Sequence, residues 1–193
     1  MNDAILRKVR ESAETQARFF ETHAQKLADC ATALAAAFRA GGRLYVIGNG
    51  GSACDAQHVA VEFLHPIVEK RRPLPAQALS TDVALLTAIG NDTDFSRVFA
   101  DPVDLLARQG DAVLGISTSG TSSNVNRGLR AARARGVLTI GFAGRDGGAL
   151  VDLCDHAFVV PSWSVHRIQE VHTLLLHLLW DEVHVALGEP DVL

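Results

Sequence analysis

Twice along this chain a short, unbroken apolar run gives way to a loop of small residues and then to a helical pattern. Leu44-Tyr45-Val46-Ile47 runs into Gly48-Asn49-Gly50-Gly51-Ser52, and the apolar stretch 112–116 runs into Ser117-Thr118-Ser119-Gly120-Thr121-Ser122. An apolar run without alternation is a strand buried on both faces, which is the mark of a parallel sheet covered by helices. The same alternation recurs with strands near 76–79, 138–142 and 157–160 and helical patterns at 55–64, 83–89, 123–135, 147–153 and 166–187. Strand-helix alternation of this kind predicts a three-layer α/β/α sandwich around a five-stranded parallel sheet. Ligands bind beyond the carboxyl ends of such strands, so the loops after Ile47, Leu79, Ile116 and Phe142 are the places to look for function.

Residues 1–40 stand apart from this alternation. They are rich in Ala, Leu, Glu, Arg and Gln without Pro or Gly, and Leu27, Ala31, Leu34 and Phe38 recur at helical spacing. Two helices are expected there, forming an arm that packs on the core or on a partner subunit, with one domain over 41–193. At 193 residues and 48% hydrophobic side chains the chain can bury a real core. Eighteen basic against 22 acidic residues leave a net charge of −4, which argues against a broad nucleic-acid surface. The N-terminus has no apolar signal region, and no uncharged run approaches the roughly 18 residues that span a bilayer, so a cytoplasmic protein without membrane partners is expected. Cys30, Cys54 and Cys154 form no C-x-x-C pair and read as small buried residues.

The glycine loop lets the backbone take positive φ and approach a ligand, while the following helix offers unpaired N–H groups and its positive dipole end to an anion. A tight turn with no ligand is the plain alternative. Gly48-x-Gly50-x-x-Ala53 also matches a dinucleotide fingerprint, with Glu69 at the distance of the ribose acid. That reading leaves the second loop unexplained. Capping a helix needs one hydroxyl, whereas Ser117, Thr118, Ser119, Thr121 and Ser122 supply five, a composition suited to a phosphate monoester. No G-x-x-x-x-G-K-[ST] is present, which argues against nucleotide hydrolysis.

Among the groups able to move protons, His58 and Glu62 are spaced i,i+4 and project from one helix face. A core-facing histidine beside a surface glutamate is the bland reading of the same spacing. Gln169 and His177 lie on the last long helix, roughly 12 Å apart by helical rise. Glu170, His177 and His184 are better aligned along that helix, and His172 and His184 are explained equally well as satisfied structural histidines.

Strand–GNGGS–helix, strand–STSGTSSN–helix and the late Arg167-Ile168-Gln169-Glu170-Val171-His172 together resemble the sugar isomerase (SIS) domain family, and within it the phosphoheptose isomerases, over about residues 38–187. The resemblance implies an aldose–ketose isomerase that converts sedoheptulose 7-phosphate to D-glycero-D-manno-heptose 7-phosphate through an enediol. By the same resemblance Glu62 and His177 are the acid–base pair, and His58, Glu62, Gln169 and His177 hold one zinc ion. Asn49, Gly50, Gly51, Ser52, Ser117, Thr118, Ser119 and Ser122 would hold the sugar phosphate, and Glu62, Asn91, Asp92 and Gln169 the rest of the substrate. A homotetramer with sites at subunit boundaries is implied as well. Relatives that only bind a sugar phosphate or a replication initiator tend to lack the acid–base pair, which is present here. Two positions depart from the family pattern: Pro66 stands where an arginine is usual, and His166 replaces an acid.

Overall fold

The computed structural model describes residues 2–67 and 71–192. Its elements, in chain order, are α1 (Asn2–Arg39), β1 (Leu44–Gly48), α2 (Gly51–Leu64), β2 (Ala76–Ala78), α3 (Val83–Asp92), α4 (Ala100–Leu106), β3 (Ala112–Ser117), α5 (Ser123–Ala134), β4 (Leu138–Gly144), β5 (His156–Val160) and α6 (Val165–Ala186). Short 3-10 turns cover Phe95–Arg97 and Gly148–Leu153. All strands pair in parallel in the order β2-β1-β3-β4-β5.

Chain order reverses direction at β1, whose successor lies on one side and β3 on the other. The crevice beyond the carboxyl ends of β1 and β3 is therefore the switch point where doubly wound sheets bind ligands. Gly48 is in register with Ile116. The glycine and serine loops thus leave the sheet side by side, as two separate sequence motifs brought to one place.

Alternate residues of each strand serve opposite faces. Leu44 and Val46 join Leu114, Ile116, Phe142 and Phe158 under α1, α2 and α6. Tyr45 and Ile47 join Val113, Val125 and Leu129 under α4 and α5.

The N-terminal segment is one continuous helix rather than two, since no Gly or Pro interrupts it and Phe19, Leu27, Cys30, Leu34 and Phe38 bury one long stripe in the core shared with α6. Its first turns, with Ile5, Leu6 and Val9, stay exposed. The turn over Gly148–Leu153 is 3-10 rather than α-helical. α4 was not anticipated: Pro102 reads as a helix breaker, yet it lies in the first turn, where its missing N–H costs no hydrogen bond. Pro66 does end its helix, because α2 stops at Leu64. Only Cys30 is buried; Cys54 is exposed on α2 and Cys154 is half-buried, so the expectation of three buried cysteines is corrected. Burial pushes the Cys30 and Cys154 thiols up to about 12, which leaves both unreactive.

Candidate active site

The glycine loop closes onto α2 through Gly50, which has φ 56° and caps the helix without a side-chain bond. That left-handed conformation is one that glycine adopts without the Cβ penalty. At Gly51 a Cβ would collide with the amide Nε2 of Gln169, so α2 and α6 meet there backbone against side chain. No acidic residue occupies the first turn of α2, leaving its N-terminal dipole open to an anion.

Across the crevice the serine loop holds itself together by its own hydroxyls. Ser117 Oγ lies 2.9 Å from Ser122 Oγ, and Thr121 Oγ1 donates to Ser119 Oγ at 2.9 Å. Ser122 is the N-cap of α5 but makes no side-chain capping bond. The cap reading therefore does not account for this loop, whose hydroxyls cluster ahead of a helix N-terminus.

The two loops are joined by Asn49 and Asn124, whose side-chain amides exchange hydrogen bonds of 2.8 Å in both directions. Asn124 was missed at the sequence level, where it is one polar residue in a helix start. Only the register of β1 with β3 brings it opposite Asn49.

Two turns along α2, His58 and Glu62 face His177 of α6. His58 Nε2 is 3.2 Å from His177 Nε2 and 3.3 Å from Glu62 Oε1, and one donor atom from each of the three lies within 4.8 Å of the others. The i,i+4 pair thus faces a third donor across the helix seam, all three half-buried, and the bland reading of His58 fails. Two imidazoles and a carboxylate at this spacing form a possible metal-ligand triad, suited to zinc or a similar divalent ion. Burial, with the neighbouring His58 adding to it, holds His177 below the ordinary histidine value, while Glu62 acts in the opposite sense.

The other expected residues are placed less centrally. Gln169 lies two turns before His177, its amide against Gly51. Asn91 and Asp92 form the last turn of α3, both exposed, with Asn91 Nδ2 donating to Asp92 Oδ1 at 2.7 Å. His172 and His184 are structural. The former, fully buried and pushed down to about 4 by burial, lies 3.1 Å by its Nε2 from the Ala143 carbonyl; the latter pairs with Glu189 at 3.0 Å. Glu69, the acid of the dinucleotide reading, lies outside the described residues.

A sandwich with two small-residue loops at its switch point and this donor set has known counterparts. Residues 9–144 match the model of the SIS domain, and the chain belongs to that family. Within it the chain belongs to the phosphoheptose isomerases. It is 53% identical over 171 residues to the phosphoheptose isomerase of Solidesulfovibrio magneticus, covering 89% of this chain and 83% of that one. It is 45% identical to the one from Aquifex aeolicus, covering 98% and 99%. The solved structure of a phosphoheptose isomerase from Francisella tularensis superposes with a TM-score of 0.90 at 34% identity, over 95% of this chain and 97% of the other.

Proposed function

We propose that this protein isomerises sedoheptulose 7-phosphate to D-glycero-D-manno-heptose 7-phosphate, with Glu62 and His177 as its acid–base pair. The observation that carries this reading is the convergence of those two groups with His58 on the α2–α6 seam, on the same helix that rises from the glycine loop.

The ketose carries its carbonyl at C2 and two hydrogens on C1. A base removes one C1 proton while an acid protonates the C2 oxygen, giving the enediol. Return of a proton to C2 and loss of one from the C1 hydroxyl then yields the aldose. Two opposed groups are needed, and Glu62 and His177 supply them. The phosphate, at the far end of the sugar, is held by Ser52 and the backbone of Asn49, Gly50 and Gly51 together with Ser117, Thr118, Ser119 and Ser122. Gln169, whose amide lies against Gly51, would bind hydroxyls between phosphate and carbonyl, and Asn91 and Asp92 at the end of α3 would bind further hydroxyls.

His58, Glu62 and His177 would hold a zinc ion, with Gln169 as its fourth protein ligand by family resemblance. Such an ion polarises a carbonyl and stabilises developing negative charge on its oxygen. We also propose a homotetramer in the cytoplasm. Supporting it, Val61, Leu64 and Ile67 expose apolar surface near a cleft of about 590 Å³ that His58 also lines, and Val83 and Phe95 do the same on and beside α3. Light scattering at micromolar concentration checks this assembly, and a monomer would contradict it.

The deciding experiment incubates purified protein with sedoheptulose 7-phosphate and fructose 6-phosphate, following products by NMR and comparing kcat/KM. A clear preference for the seven-carbon sugar is expected. Turnover of the six-carbon sugar alone would tie the Pro66 and His166 departures to a changed substrate. Binding without turnover would favour a non-catalytic sugar-phosphate module.

A further inference from the structure

A second face of α5 carries Ser123, Asn126, Arg127 and Arg130, spaced i, i+3, i+4 and i+7 and so aligned on one stripe. Asn124, whose amide meets Asn49 at the crevice, points roughly 100° around the helix from that stripe. With Ser96 of the 3-10 turn and Thr121 of the serine loop, the stripe lines a cavity of about 410 Å³. Ser96 follows shortly after Asp92, so the cavity is walled by extensions of two segments that are proposed to grip the substrate.

Both guanidinium groups in this cavity are free of carboxylate contacts. Arg127 Nη1 donates to Ser96 Oγ at 3.0 Å, and Arg130 forms no hydrogen bond or ion pair with any described residue. Asp94, the acid whose charge Arg127 feels, already accepts the Ser96 backbone N–H at 2.6 Å. Two guanidinium forks beside hydroxyl donors match the oxygens of a phosphate. Asn126 adds a second requirement. It is 4% exposed, and its Nδ2 donates to the Gly120 carbonyl at 3.1 Å, which fixes the orientation of the amide. Its Oδ1 has no donor among the described residues. A buried acceptor without a donor calls for an explanation, and a phosphate dianion, which only accepts, supplies none. A hydroxyl does, so the ligand that suits the whole cavity carries a phosphate and at least one hydroxyl.

We propose that this cavity is a second, non-catalytic site for a phosphorylated sugar, with Arg127 and Arg130 on its phosphate and Asn126 Oδ1 accepting from one of its hydroxyls. Thr121 links the cavity to the serine loop, because its Oγ1 donates to Ser119 Oγ at 2.9 Å.

The test titrates nitrogen-labelled protein with glycerol 3-phosphate and, separately, with inorganic phosphate, following the Arg127 and Arg130 Nε–H signals and the Asn126 amide by NMR. The Asn49 amide reports the crevice in the same spectra. The cavity signals are expected to move on a binding curve of their own, with glycerol 3-phosphate about two- to tenfold tighter than phosphate, the worth of one hydrogen bond. Arg130→Gln, at an exposed position on the helix surface, should weaken that curve at least about fivefold, read at Arg127 and Asn126, and leave the Asn49 curve unchanged. Unmoved cavity signals overturn the proposal, and so does a cavity curve that is the same in Arg130→Gln as in wild type or that coincides with the Asn49 curve in both. Equal affinity for the two probes overturns the assignment to a phosphorylated sugar.

Discussion

Asn49 and Asn124, 75 residues apart in sequence, hold each other through two amide hydrogen bonds of 2.8 Å and thereby tie the glycine loop to the start of α5. Asn124 is 2% exposed, and its Oδ1 also accepts from the backbone N–H of Val125. The pair fixes the spacing of two helix N-termini that face the same crevice. Spacing of that kind decides whether both can contact one phosphate.

Replacing Asn124 by Ala leaves the Asn49 amide without its partner and is expected to cost about 1–3 kcal/mol of stability, the usual price of an unsatisfied half-buried group. Urea unfolding measures it. Asn124→Asp keeps the shape but sets a negative charge between the loops, so KM for a sugar phosphate should rise by at least about tenfold while kcat changes less. An unchanged KM would remove the crevice as the phosphate site.

Glu62→Gln and His177→Asn should each lower turnover by at least about a hundredfold, within the usual contribution of a general acid or base. Steady-state kinetics on the seven-carbon ketose phosphate provides the measurement. Near-normal activity in either variant removes that residue from the proton-transfer pair.

Protein purified without chelator or affinity-tag metal should contain about one zinc per chain, as expected for a mononuclear site. Stripping the ion should abolish most activity, and adding zinc back should restore it. His58→Ala should bind zinc more weakly by direct titration, even where its activity is too low to measure. Full activity of metal-free protein would sink a catalytic role for the ion.

Stability should fall as the solution is acidified from pH 7 toward pH 4. His172 holds a folded-state value of about 4 against 6.5 in the unfolded chain, so between those values the unfolded state binds the additional proton. The stability present above pH 6.5 is lost progressively down to about pH 4, and amounts to about 3 kcal/mol for this group. Asp55, raised to about 6 by burial, acts in the opposite sense between its ordinary value and pH 6. His172→Gln retains a donor for the Ala143 carbonyl and removes the titration, so its unfolding free energy should depend less steeply on pH than that of wild type. Equal slopes would show that His172 does not carry the effect.

The parallel sheet and both small-residue loops were legible in the chain itself. Buried strands must be apolar on both faces, and a turn that brings backbone to a ligand needs glycine or short hydroxyl side chains. The i,i+4 spacing of His58 and Glu62 likewise needed no tertiary information, because helix geometry alone puts them on one face. The continuity of α1 was harder to read. Its unbroken helical composition was present, but whether it bends depends on the stripe that α6 offers it. α4 was hidden because Pro102 breaks a helix interior and is harmless in a first turn, and local sequence does not say which position it occupies.

The site itself needed the fold. His177 is 119 residues from His58, and its i,i+7 neighbours on α6 made Glu170 and His184 equally good partners by periodicity. α2 and α6 pack so that Gly51 meets Gln169 and His58 meets His177, which sends Glu170 toward Ser12 and Arg167 and buries His184 against Glu189. Asn49 and Asn124 met for the same kind of reason, through the register of β1 with β3. Composition and spacing determined which elements form and which faces carry chemistry, since those depend on neighbours within a few residues. Which faces meet was decided by packing between distant segments, an energy that no local pattern contains.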